Sequence, residues 1–231
     1  MNQLTRIKHT TLLLVGTLLL ISFAIPQSVQ AVSPPPDGGY PGGNTAEGTN
    51  ALLSLTTGFA NTAVGLGSLR SNTTGDENTA IGSAALGFNT ASSNTAVGYN
   101  ALLSNRFGNY NTAVGDDALN SNTVGEENTA VGWEAMYYNT TGFSNTAVGE
   151  GALLRNTQGG LNTAIGSGAL TSNTTGYNNT ALGHFAGLNV ITAHDVICIG
   201  DRETGADVSN TCFIASIRGV TTPPQTATTN Q

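Results

Sequence analysis

Residues 145–161 read NTAVGEGALLRNTQGGL and residues 162–178 read NTAIGSGALTSNTTGYN, the same columns one period later. The triplet Asn-Thr-Ala begins at Asn44, Asn61, Asn78, Asn94, Asn111, Asn128, Asn145, Asn162 and Asn179, so every interval is seventeen residues except the sixteen between Asn78 and Asn94. A fixed period of this length means that each unit is one structural element repeated, and it excludes most folds before any residue is weighed singly. The unit reads N-T-A-[VIL]-G-x-x-A-L-x-x-N-T-[TVQ]-G-x-x, and nine units fill residues 44–190. Its glycine column runs Gly48, Gly65, Gly82, Gly98, Gly115, Gly132, Gly149, Gly166 and Gly183. The aliphatic column beside it runs Val64, Ile81, Val97, Val114, Val131, Val148, Ile165 and Leu182, with Glu47 in the first unit as the departure expected of a terminal, capping repeat.

Glycine and Asn-Thr interrupt the unit too often for a helix, and its apolar residues lack the three-and-four spacing of a helical face. The unit reads as two short strands, T-A-V and A-L-x, separated by turns at G-x-x and N-T-T-G, where glycine supplies positive φ and asparagine tolerates it. Coils built this way stack with each strand beside its own copy, which makes an all-β parallel solenoid of about nine coils, with asparagine and threonine ladders running along it. Ala and Val of T-A-V are neighbours and point to opposite faces, yet both columns are apolar. A lone solenoid needs one apolar face per strand. The reading is that the Val column fills the coil interior together with Thr, and that the Ala column faces outward, where small side chains allow other copies of the chain to approach.

Residues 1–31 carry Arg6 and Lys8, an apolar run from Thr10 to Ile25, and a small-residue exit at Ala31. That is the layout of a secretory signal peptide cleaved near Ala31, too short in its apolar part for a spanning helix. The expectation is a secreted or cell-surface protein with no membrane-spanning segment in the mature chain. Cleavage leaves five arginines against fourteen acidic residues, a net charge of −9, and such a surface is no partner for nucleic acid. Residues 32–43 form a Pro/Gly-rich linker, residues 191–219 hold two more strand-like runs that read as closing coils, and residues 220–231 are a disordered tail.

The units NTAVGWEAMYYNTTGFS and NTAIGSGALTSNTTGYN resemble the head repeats of trimeric autotransporter adhesins, the YadA-like left-handed parallel β-roll, in a longer-period form. The similarity covers about residues 44–219, since VICIGDRETGADVSNTCFIASIRGV also resembles the final coils of such heads. It implies a homotrimer of β-rolls displayed on a bacterial surface or in an extracellular fibre, adhesive toward a host, matrix or cell-surface ligand that is unknown. It implies no enzyme and no cofactor. No heptad stalk or membrane-anchor barrel accompanies the match, so anchoring by a partner or a shortened family member are both open.

The residues that carry chemistry elsewhere are sparse. His184 and His194 have no spaced set of donors around them, so no catalytic or metal role is assigned. The acidic pairs Asp76-Glu77, Asp116-Asp117 and Glu126-Glu127 fall in variable columns and lack a calcium-repeat pattern. Cys198 and Cys212 are the only cysteines, in an exported chain where bridges form, but the strand alignment sets Cys198 beside Phe213, and a disulfide stays open. Phe59, Trp133, Tyr137, Tyr138, Phe143 and Tyr177 lie in variable positions near turns, as ligand contacts or as packing over corners. The alternative function is a secreted monomeric solenoid that binds ice or another ligand through its Thr/Asn ladder. A leucine-rich repeat is the rival fold, and its longer L-x-x-L-x-L pattern is missing.

Overall fold

A computed structural model describes residues 41–215; the signal-peptide reading of residues 1–31 and the tail at residues 220–231 lie outside them. Among the described residues eleven three-residue strands stack in chain order into one parallel sheet: β1 Thr45–Glu47, β2 Thr62–Val64, β3 Thr79–Ile81, β4 Thr95–Val97, β5 Thr112–Val114, β6 Thr129–Val131, β7 Thr146–Val148, β8 Thr163–Ile165, β9 Thr180–Leu182, β10 Ile197–Ile199 and β11 Cys212–Ile214. Every pairing is in register, and from β2 to β9 it sets Thr over Thr, Ala over Ala and one aliphatic residue over the next, so the fold is a parallel β-solenoid of about ten turns. The sixteen-residue unit keeps this register, with Thr79 opposite Thr95. Its missing residue is taken from the turn after Asn89, because a strand slipped by one position would carry its inward side chains outward.

Only T-A-V is a strand. The A-L-x segment predicted as a second strand is a turn in every coil, and its leucines sit in the left-handed region: φ is 48° at Leu69, 52° at Leu102 and Leu119, and 52° at Leu153. Two more left-handed residues follow the same period, one at Ala84, Asn100, Asp117 and Glu134 and one at Glu77, Tyr110, Glu127 and Leu161. A non-glycine residue at positive φ is uncommon and is kept only when surrounding contacts over-determine it. Here each turn is hydrogen-bonded to the turns above and below, for example Leu102 N–H to Ala118 O at 2.9 Å and Leu119 N–H to Ala135 O at 3.0 Å. Gly67, Gly151 and Gly168 occupy the Ala84 column at φ 60–67°, so glycine fits there. Ala84→Gly is therefore expected to stabilise the coil by about 0.5 kcal/mol, the relief of left-handed strain outweighing glycine's extra chain entropy. A lowered melting temperature in thermal denaturation would contradict it.

The interior is narrow. Leu69, Leu86, Leu102, Leu119, Met136, Leu153 and Leu170 point in from the turns and meet the Ala column of the strands, and from Ala63 to Ala181 that column is completely buried. This reverses the sequence reading: the small side chain faces the inside, and Val64, Ile81, Val97, Val114, Val131, Val148, Ile165 and Leu182 face out with the threonines. Val64, Ile81, Ile165 and Leu182 are exposed, and the four valines between them are half-buried.

Two buried asparagine ladders fill the rest of the interior. In the first, Asn128 Nδ2 donates to Asn111 Oδ1 (3.1 Å) and Gly142 O (2.8 Å), while its Oδ1 accepts from Asn145 N–H (3.1 Å) and Asn145 Nδ2 (3.0 Å). That is the full capacity of one amide. The second ladder runs from Asn89 to Asn173, with Asn122 Nδ2 on Asn105 Oδ1 at 2.8 Å and Asn139 Nδ2 on Asn122 Oδ1 at 2.8 Å. The threonines of N-T-T-G donate not to their copies but to a backbone carbonyl one coil on, as Thr123 Oγ1 does to Thr140 O at 3.0 Å. Asn128→Ala strips partners from Gly142 O, Asn111 Oδ1 and the Asn145 amide inside the core, and is expected to cost about 3 kcal/mol or more. Denaturant titration checks this, and a loss below about 1 kcal/mol would mean that water replaces the ladder.

Candidate functional site

The outward face of the sheet carries two continuous ranks, Thr62 to Thr180 and Val64 to Leu182, one residue of each per coil. Both exist because the strand alternates sides with a period of two and Ala takes the inside. The face continues past β9 as Ile197 and Ile199 and then Ile214, so its apolar character extends over the closing coils. Natural sheets seldom leave a continuous aliphatic rank facing water, because a contiguous apolar patch favours association.

At the end of each strand the chain bends at the glycine column, with φ of 128° at Gly65, 133° at Gly82, 140° at Gly98, 139° at Gly115, 135° at Gly132, 131° at Gly149 and Gly166, and 132° at Gly183. The coils approach so closely here that a Cβ on Gly98 would lie 2.3 Å from Gly115 O.

The remaining candidates are dispersed. His184 Nδ1 lies 3.1 Å from Asp201 Oδ1, and His194 Nδ1 lies 2.6 Å from Asp195 Oδ2 with its ring stacked on Tyr177 at 4.7 Å. The His194 ring, joined by Asn178, holds the Asp195 carboxyl below its usual range. Among the described residues no group of three or more His, Cys, Asp or Glu side chains is arranged to hold a metal ion. The acidic pairs serve the corners: Asp76 Oδ1 accepts from Phe59 N–H at 3.0 Å, Asp117 Oδ1 from Asn120 Nδ2 at 2.8 Å, Glu126 Oε1 from Asn109 Nδ2 at 3.1 Å, and Glu127 Oε2 from Ser144 Oγ at 2.9 Å. Phe59, Trp133, Tyr138, Phe143 and Tyr177 are exposed, and Tyr137 packs edge-on against Tyr138 at 4.7 Å.

The bridge that the sequence left open is not formed. Cys198 pairs with Phe213, as the alignment required, and takes the inward Ala position, while Cys212 takes the outward Thr position. Opposite faces of adjacent strands keep the sulfurs apart. Burial pushes the Cys198 thiol up to about 12, which makes it unreactive in the folded coil.

One site was not legible in the sequence. In three consecutive coils three N–H groups converge on one carbonyl of the next coil, as Thr157, Gln158 and Gly159 donate to Thr174 O at 2.9, 3.2 and 3.3 Å. In the last full coil the same groups belong to Ile191, Thr192 and Ala193, and they donate to Asp207 Oδ1 at 2.8, 2.8 and 2.7 Å, with Thr192 Oγ1 on Oδ2 at 3.0 Å. A side-chain carboxylate replaces a main-chain carbonyl. Burial alone would raise the Asp207 carboxyl, but the Ala193, Ile191 and Thr192 donors hold it below the usual carboxylate range. Among the described residues no helix is long and apolar enough to cross a membrane. No family model, curated protein or solved structure matches the chain.

Proposed function

We propose that the chain is an exported, non-enzymatic structural and adhesive module, the head-like part of a bacterial surface or extracellular fibre, in which three copies pack as left-handed β-rolls through the outward Thr/Val face. The observation that carries this reading is the aliphatic rank from Val64 to Leu182, which the described residues leave exposed toward its ends and half-buried in its middle. Both faces of the strand are apolar with Ala inside the coil, and the outward Val is the side chain that would meet a neighbour. Burying one aliphatic rank per copy takes apolar surface out of water, which is worth about 25 cal/mol per Å² and drives most protein association. The repeat resemblance supplies the trimer and the adhesive role.

A second reading has its own observation. The threonines lie outward beside the valines, with successive residues of each rank about 4.8 Å apart, so a monomer would present a flat Thr/Val array to solvent, and binding of ice by that array is the alternative. The absolute mass of residues 32–231, by light scattering after size exclusion with circular dichroism on the same sample, separates the two. A β-rich particle of three chains supports the adhesin-like head. A stable β-rich monomer that shows thermal hysteresis would replace it with the ice-binding reading.

A further inference from the structure

The two ends of the coil stack differ, and the difference bears on a second copy of the chain. Both asparagine ladders stop at the same place: Val190 stands in the column of Asn173, and Val196 in the column of Asn179. Asn173 Oδ1 is in consequence a buried acceptor with no partner, and Asn179 Oδ1 keeps only the Val196 N–H at 2.9 Å. Over this end lies a shortened coil, residues 200–211, fastened by Asp207 in place of the next carbonyl. It covers Cys198, whose Sγ lies 2.6 Å from the position a Cβ on Gly205 would take.

Because all coils share one register, what fits coil n+1 onto coil n also fits the first coil of another copy onto a bare last coil. The Ile191–Ala193 N–H groups would then donate to Thr56 O of that copy, as the Thr157–Gly159 groups donate to Thr174 O here. The edge of β9, freed when β10 leaves with the closing coil, would take its β1. An unprotected sheet edge is a template for a further chain, and natural proteins block it.

We propose that the closing coil is a stop held by Asp207, and that the C-terminal end beneath it is an end-on docking surface for the first coil of a second copy. Growth at this surface lengthens the rod and leaves its width unchanged, which separates it from lateral trimer formation. The test uses the full chain carrying Cys212→Ser, so that Cys198 alone reports opening, with Asp207→Ala and Gly205→Val as two variants that loosen the same coil by unrelated means. Labelling of Cys198 by a thiol reagent is expected to quicken by about tenfold or more in each variant. Particle mass is expected to climb with concentration in multiples of the parent, as rods of constant width in electron micrographs. Faster labelling with a mass that stays at the parent value at every concentration would overturn the docking surface. Unchanged labelling in both variants would overturn the stop.

Discussion

Ala130→Asp is expected to unfold the solenoid around β6, and Val131→Asp, one residue along the same strand, is expected to leave it folded. Ala130 is fully buried among the leucines and asparagines of the narrow interior, where a carboxylate finds neither room nor water. An uncompensated charge or an unpartnered carboxyl there costs several kcal/mol, a large part of the stability of an ordinary domain. Val131 is half-buried on the outward face, so in a single chain its replacement costs little. In the proposed trimer the same change sets three like charges into the contact between copies, and the particle should fall apart into folded monomers. Circular dichroism and light scattering on the two variants read these outcomes separately. A Val131→Asp chain that melts like Ala130→Asp would mean that the outward rank supports the coil itself, and one that keeps the parent mass would remove this face from the contact.

Gly98→Ala is the second change with a large expected effect. Its φ of 140° is open to glycine and strained for any other residue, and the added methyl would lie 2.3 Å from Gly115 O and 2.6 Å from Gly115 C. The obstacle is main chain and cannot rotate away. Relieving it means parting two coils at a point where Gly115 N–H donates to Val97 O at 2.8 Å. Strain of about 1–3 kcal/mol from the backbone angle, with overpacking of about 1–3 kcal/mol more, predicts a loss near 3 kcal/mol or above. Denaturant titration measures it. A loss under about 1 kcal/mol would show that neither the backbone angle nor the close approach of the coils requires glycine at this position.

The column pattern determined most of the architecture: parallel in-register coils, a strand at T-A-V, a glycine at the bend, and amide ladders at Asn. It did so because identical residues recur at one spacing, and stacking is the arrangement that satisfies all of them at once. The turn at A-L-x was not legible, because leucine at positive φ contradicts its local preference and is held there by bonds from neighbouring coils. Asp207 was not legible either, since a lone aspartate in a variable stretch carries no signal until the fold sets three N–H groups around it.

Which of two apolar neighbours goes inside was decided by tertiary structure alone. Strand alternation requires that Ala and Val of T-A-V part to opposite faces, and says nothing about which face is which. The answer depends on the width left between the sheet and the turns opposite. Leucines reach into that space from the turns and the asparagine ladders fill the rest of it, so the small alanine closes the coil and valine is turned toward whatever lies beyond it.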